Sequence, residues 1–152
     1  MKKYIAPVFI ALLVGFFSAQ FMFNQYDDKE TLTPVFNNGE NLYFIQQGVY
    51  STIESLKDNM KDFNNYIYTI INAKYYAFIG ITKNQENAQK IQDYYKQLGY
   101  ITYIKEFKVG NSTFLKSLSN YDNVLENTND DNTIKTLINQ VLTKYKELVV
   151  DG

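Results

Sequence analysis

The sequence predicts an α+β domain with the element order βαββαβ. Three observations carry that expectation. Strand-like and helix-like patterns alternate between residues 41 and 108, a glycine follows a strand pattern at Gly48 and again at Gly80, and a helix-capping signal follows each glycine. Two split βαβ units interleaved in one antiparallel four-stranded sheet form the ferredoxin-like arrangement. Its two helices cover one face of the sheet, and the other face is expected to be open.

The first unit is residues 41–51, N-L-Y-F-I-Q-Q-G-V-Y-S. Residues 42–47 read as a strand, and the chain is expected to turn at Gly48. Ser51 followed by Glu54 has the spacing of a capping box. Ile53, Leu56, Met60 and Phe63 then recur at the helical period, and Asn64 and Asn65 close that helix. Residues 66–71 are β-branched and aromatic, which predicts a strand. Residues 72–74 read as a turn, and residues 75–79 as the third strand, ended by Gly80. Thr82 with Gln85 offers a second capping box, and Asn84 is a competing cap. Ala88, Ile91, Tyr95 and Leu98 form the apolar stripe of the second helix, with Gly99 as its stop. Residues 101–107 read as the fourth strand.

Segments flank this unit on both sides. Residues 4–23, opening on Tyr4 and closing on Phe23, are almost wholly apolar. At helical rise such a run spans ~30 Å, about one bilayer core. Lys2 and Lys3 precede it, while Asp27, Asp28 and Glu30 follow. The positive-inside rule then leaves the N-terminus cytoplasmic and the rest of the chain outside, as a single-pass anchor in the lipid bilayer. A cleaved signal peptide is the rival reading, but Phe16 and Phe17 spoil the small-x-small site that it needs. Residues 24–40 are polar and lack periodicity, as a tether would. The expected organisation is thus 1–23 tip and transmembrane helix, 24–40 tether, 41–108 sheet domain and 109–152 helical extension. In that extension Phe114, Leu118, Tyr121 and Leu125 repeat at helical spacing, as do Ile134, Ile138, Val141, Tyr145 and Leu148. They predict a helical hairpin packed on the domain, or a surface for self-association or an envelope partner.

Composition narrows the chemistry. The chain has no Cys, His, Trp or Arg, and all 15 of its basic residues are Lys. It therefore offers no thiolate nucleophile, no disulfide and no imidazole base. No Gly-rich phosphate loop or Ser-centred elbow occurs. Ferredoxin-like acyl phosphate hydrolases rely on an arginine that this chain lacks. Neither an enzyme, a cofactor nor a metal is expected. A net charge of −1 does not favour a polyanionic partner, so no nucleic acid is expected. Aromatics on the first and third strands of such a sheet also describe an RNA-recognition module, but the missing Arg and the outward topology oppose that reading.

Strand alternation places Phe44, Gln46, Tyr76 and Phe78 together on the expected open face. An amide among aromatic rings suits a ring-shaped ligand such as a sugar. The alternative is that the C-terminal helices cover these rings as a second core.

Residues 45–51, I-Q-Q-G-V-Y-S, resemble the V-Q-x-G-x-F-S opening of the SPOR (sporulation-related repeat) domain family. Residues 75–80 with Asn87 and Ala88 resemble its second half. The resemblance covers roughly residues 41–107. It implies a ferredoxin-like module that binds peptidoglycan glycan strands stripped of stem peptides, at division or sporulation septa. Carried over by position, Gln46 matches the family glutamine, Gly48 and Gly80 its strand-end glycines, and Ser51 its helix-opening polar residue. With Phe44, Tyr76 and Phe78, Gln46 and Ser51 form the expected glycan-binding set. Gln47 and Phe78 depart from the family pattern, which usually has an apolar and a basic residue there. The expected function is a non-catalytic peptidoglycan-binding protein anchored in the cell membrane. The alternative is an envelope scaffold acting through its C-terminal helices.

Overall fold

The computed structural model describes residues 39–150, all within the unit Thr31–Gly152. The expected membrane segment 1–23 and all but the end of the tether 24–40 lie outside the described residues. Among the described residues, no helix is long and apolar enough to cross a membrane.

The elements are β1 (Glu40–Tyr50), α1 (Ile53–Met60), β2 (Ile67–Ile71), β3 (Lys74–Thr82), α2 (Gln85–Gln97), β4 (Tyr103–Val109), α3 (Ser112–Glu126) and α4 (Asp131–Tyr145). A wide helical turn, Lys146–Val150, continues α4. The sheet is antiparallel throughout, in the order β2-β3-β1-β4. The fold of the described residues is therefore α+β, with four strands and four helices.

β1 is longer than the pattern of residues 42–47 suggests because it has a partner on each side. It pairs β4 from Glu40 opposite Val109 to Gln46 opposite Tyr103. It pairs β3 from Tyr43 opposite Thr82 to Tyr50 opposite Tyr75. The β4 ladder stops at Gln46, but the β3 ladder keeps the backbone extended past Gly48 to Tyr50, so that glycine does not end the strand. Gly80 likewise lies inside β3, not at its end. Between them the register shifts twice, around Gln46 opposite Phe78. Such irregularities re-aim side chains locally.

Strand extension also moves the first cap. Thr52, not Ser51, is the N-cap of α1, and its hydroxyl accepts from the Ser55 amide at 3.1 Å. In the second unit Asn84 is the cap, accepting from the amides of Glu86 and Asn87 at 2.7 and 3.3 Å. That leaves Thr82 free to bond elsewhere. Between β2 and β3, Asn72 and Ala73 both take positive φ, 51° and 60°. That is the two-residue hairpin geometry favoured by strand twist, and Lys74 already belongs to β3.

α2 buries Ala88, Ile91, Tyr94 and Tyr95. The Tyr95 hydroxyl donates to the Ile79 carbonyl at 3.0 Å. Leu98, expected in the same stripe, is 55% exposed. The helix ends at Gln97 and Gly99 turns at φ +89°, so Leu98 falls out of helical phase. β4 begins at Tyr103, two residues later than expected, and leaves Ile101 78% exposed.

The extension packs on the sheet domain. Phe114, Leu118, Leu125, Ile134, Ile138, Val141 and Tyr145 are all buried. α4 packs against β3 and against α3, and α2 touches both C-terminal helices. Polar contacts fasten the pair as well. Asp122 of α3 accepts from the Thr82 hydroxyl at 2.5 Å and from the Lys83 amide at 2.8 Å. Asn87 of α2 donates to the Asp122 carbonyl at 3.1 Å. Lys90 places its ammonium on the last carbonyls of α3, Leu125 at 2.8 Å and Glu126 at 3.1 Å, and on Thr128 at 2.9 Å. A cation there satisfies orphan carbonyls and complements the helix dipole.

Candidate functional site

Directly opposed residues of an antiparallel pair share a face. Leu42, Phe44 and Gln46 therefore share a face with Phe107, Lys105 and Tyr103 of β4. Phe78, opposite Gln46, belongs to this face too, and its ring lies 5.4 Å from that of Phe44. Alternation puts Tyr76 beside Phe78 on the same side. Ile45 points the other way, toward α2. A side-chain carbon built on Gly80 would lie 3.1 Å from both Ile45 and Ile91.

The expectation of an open aromatic face holds only in part. Phe44 is 3% and Phe78 1% exposed. Phe44, Phe78 and Phe107 form a mutual edge-on trio, with centroids 5.2–5.4 Å apart. Tyr145 at the end of α4 closes over it, 5.7 Å from Phe44 and 5.2 Å from Phe114. Edge-to-face pairs add about 0.5–1.5 kcal/mol each beyond area burial. The rings thus form a second core beneath the C-terminal helices. Burial raises the Tyr145 phenol to about 12.

The face opens along β4. Tyr103, opposite Gln46, is 57% exposed, and Lys105, opposite Phe44, is exposed. Gln46 sits at the boundary. It is buried, and its Oε1 has no hydrogen-bond partner among the described residues. An unpaired buried acceptor costs about 1–3 kcal/mol. Thr102 Oγ1 beside Tyr103 is unpaired in the same way, although the Thr102 carbonyl accepts from Gln92 at 2.7 Å. Tyr76 is half-buried, and its partner Val49 is 39% exposed.

The structure brings together four of the five expected binding residues. Phe44, Gln46, Tyr76 and Phe78 share the face, but only Tyr76 keeps appreciable exposure. Ser51 is not part of the cluster. It is exposed and lies five residues beyond Gln46, roughly 17 Å along an extended chain. Gln47, the departure from the family pattern, has a local role. It accepts a hydrogen bond from the Tyr50 hydroxyl, whose ring lies across Gly48. Tyr103 and Lys105 were not singled out in the sequence. The signal that finds them is the β1–β4 register, which depends on a long-range pairing.

Among the described residues, no group of acidic side chains is arranged to hold a metal ion. Asp122, the one buried carboxylate among the described residues, is committed to Thr82, Lys83 and Asn87. Burial raises its pKa, and the hydrogen bonds from Thr82, Lys83 and Asn87 pull the other way. No protein-family model, curated protein or solved structure matches this chain.

Proposed function

We propose that this protein is a non-catalytic binder of peptidoglycan glycan strands, anchored in the bacterial cell membrane and acting in cell division or sporulation. The βαββαβ order with strands arranged β2-β3-β1-β4 supports a ferredoxin-like, SPOR-like module. The observation that carries the reading is the unpaired Gln46 carboxamide oxygen next to the exposed Tyr103 ring. A sugar lying on Tyr103 would bring hydroxyl or acetamido donors toward an acceptor that lacks one. Tyr76 extends the aromatic surface, and Phe44 and Phe78 flank Gln46 on the same face. Direct glycan contact with Phe44 or Phe78 would require Tyr145 to move.

The test is retention of the full chain, in detergent, on cell-wall sacculi with and without amidase treatment. Retention is expected on the stripped glycan, and Tyr103→Ala should weaken it roughly tenfold. Gln46→Leu should also weaken it while leaving thermal stability unchanged or raised, because an unpaired buried acceptor is removed. Absence of retention on either preparation overturns the proposal. The alternative of a scaffold acting through the C-terminal helices is less favoured, because most of their apolar seam is already buried within the domain.

A further inference from the structure

A second concave surface lies away from the sheet face, where the segment after α1 meets the C-terminal end of α2 and the middle of α4. Its volume is about 290 Å³. That is near the lower end of the ~300–1,000 Å³ typical of small-molecule sites, so it suits one ring better than a chain of them. Phe63 and Tyr100 form its aromatic wall, with centroids 4.7 Å apart and planes tilted by 48°. Leu98 lines the same cleft and is 55% exposed. Asn65 also lines it, with its Nδ2 donating to the Asn139 carbonyl at 3.2 Å and to the Thr143 hydroxyl at 3.0 Å. Those two bonds fix the carboxamide, yet its buried Oδ1 has no partner among the described residues. Asp62 and Lys135 supply one charge of each sign.

These features restrict the ligand. An apolar wall of rings needs a flat C–H surface opposite it. A fixed unpaired acceptor needs an O–H or N–H donor. One acid and one base balance each other, which favours a neutral ligand over a polyanion. We infer that this cleft binds a single neutral pyranose ring, stacked on Phe63 and Tyr100 with a hydroxyl or acetamido donor directed to Asn65 Oδ1. The inference rests on the proposed glycan-binding function and adds a second subsite distinct from the Gln46 face. A strand engaged at one site could then be held at two points, and linked weak contacts gain strongly from effective concentration.

The experiment is calorimetric titration of the full chain, in detergent, with N-acetylglucosamine and its β-1,4-linked trimer. Binding is expected, weakened at least tenfold by Leu98→Arg, which fills the cleft from an exposed position. Tyr100→Ala should act in the same direction, and Val124→Ala, at an exposed position of α3 outside the cleft, should leave sugar binding within twofold. No measurable binding of either sugar overturns the inference, as does binding that Leu98→Arg leaves unchanged. Sacculus retention that falls with Tyr103→Ala while sugar titration ignores Leu98→Arg removes the cleft and leaves the proposed function standing. Sugar binding that Leu98→Arg abolishes, with no sacculus retention, supports the cleft and removes the wall-binding role.

Discussion

Gly48 and Gly80 occupy matching places in the two βα units, yet the space each leaves is filled from a different direction. At Gly80 a side-chain carbon would meet Ile45 and Ile91 at 3.1 Å. Both are buried, so the missing side chain lets α2 settle onto the sheet. At Gly48 it would meet the Tyr50 ring and hydroxyl, at 2.6 Å for the oxygen. Tyr50 is only half-buried and folds back to bond Gln47. One glycine admits a helix, and the other a local side chain. The rest of each unit follows suit. α1 has 8 residues and a cap that takes one amide, whereas α2 has 13 residues and a cap that takes two. The second unit is also clamped to α3 through Asp122 and Lys90. Similar local patterns therefore end in unequal packing, because the second copy carries the Asp122 and Lys90 contacts to α3.

Breaking these contacts should have the largest effect. Asp122→Ala removes the short bond of the buried Thr82 hydroxyl and leaves the Lys83 amide without its acceptor, so it should cost about 3 kcal/mol in thermal unfolding. The group also has a pH signature. Burial holds its folded pKa above the ordinary carboxylate value of 3.8. Between those two values the native state binds more protons than the unfolded chain, so this group adds stability as pH falls from neutral. The gain is complete below the unfolded value. Asp122→Asn should flatten that part of the pH–stability curve relative to wild type.

Gly80→Ala should cost about 2 kcal/mol, because two branched core side chains must yield. Gly48→Ala should cost under about 1 kcal/mol, because Tyr50 can swing into solvent and Ala narrows the unfolded ensemble. Equal effects at the two glycines would show that the units are equivalent after all. The caps sharpen the comparison further. Asn84→Ala should cost about 1–2 kcal/mol and Thr52→Ala about 0.5–1 kcal/mol. A change of the opposite sign lies at the joint between the units. Ala73 takes φ 60°, where a side chain is strained. Ala73→Gly should stabilise by about 1 kcal/mol, read as a raised unfolding midpoint.

Element type and order were legible in the chain because they rest on local periodicity. The stripes Leu56–Met60, Ala88–Ile91–Tyr95 and Ile134–Ile138–Val141 are buried as their spacing predicts. Boundaries were less legible where a partner strand decided them. Whether Gly48 and Gly80 end their strands depends on neighbours that keep the ladder going. The displaced cap at Thr52 follows directly from that extension.

The candidate site divides along the same line. Strand alternation placed Phe44, Gln46, Tyr76 and Phe78 on one face, and they do share it. What covers that face was a tertiary matter. Tyr145 stands a hundred and one residues beyond Phe44 in sequence, and no local pattern relates them. The register that sets Tyr103 beside Gln46 and the junction that sets Asn65 beside α4 are likewise non-local. Hydrophobic period and capping chemistry act over a few residues, so the sequence by itself determined which elements form and which side chains they pair on one face. Burial and the loss of a hydrogen-bond partner arise only when distant elements meet, so tertiary structure decided which of those side chains remain available to a ligand.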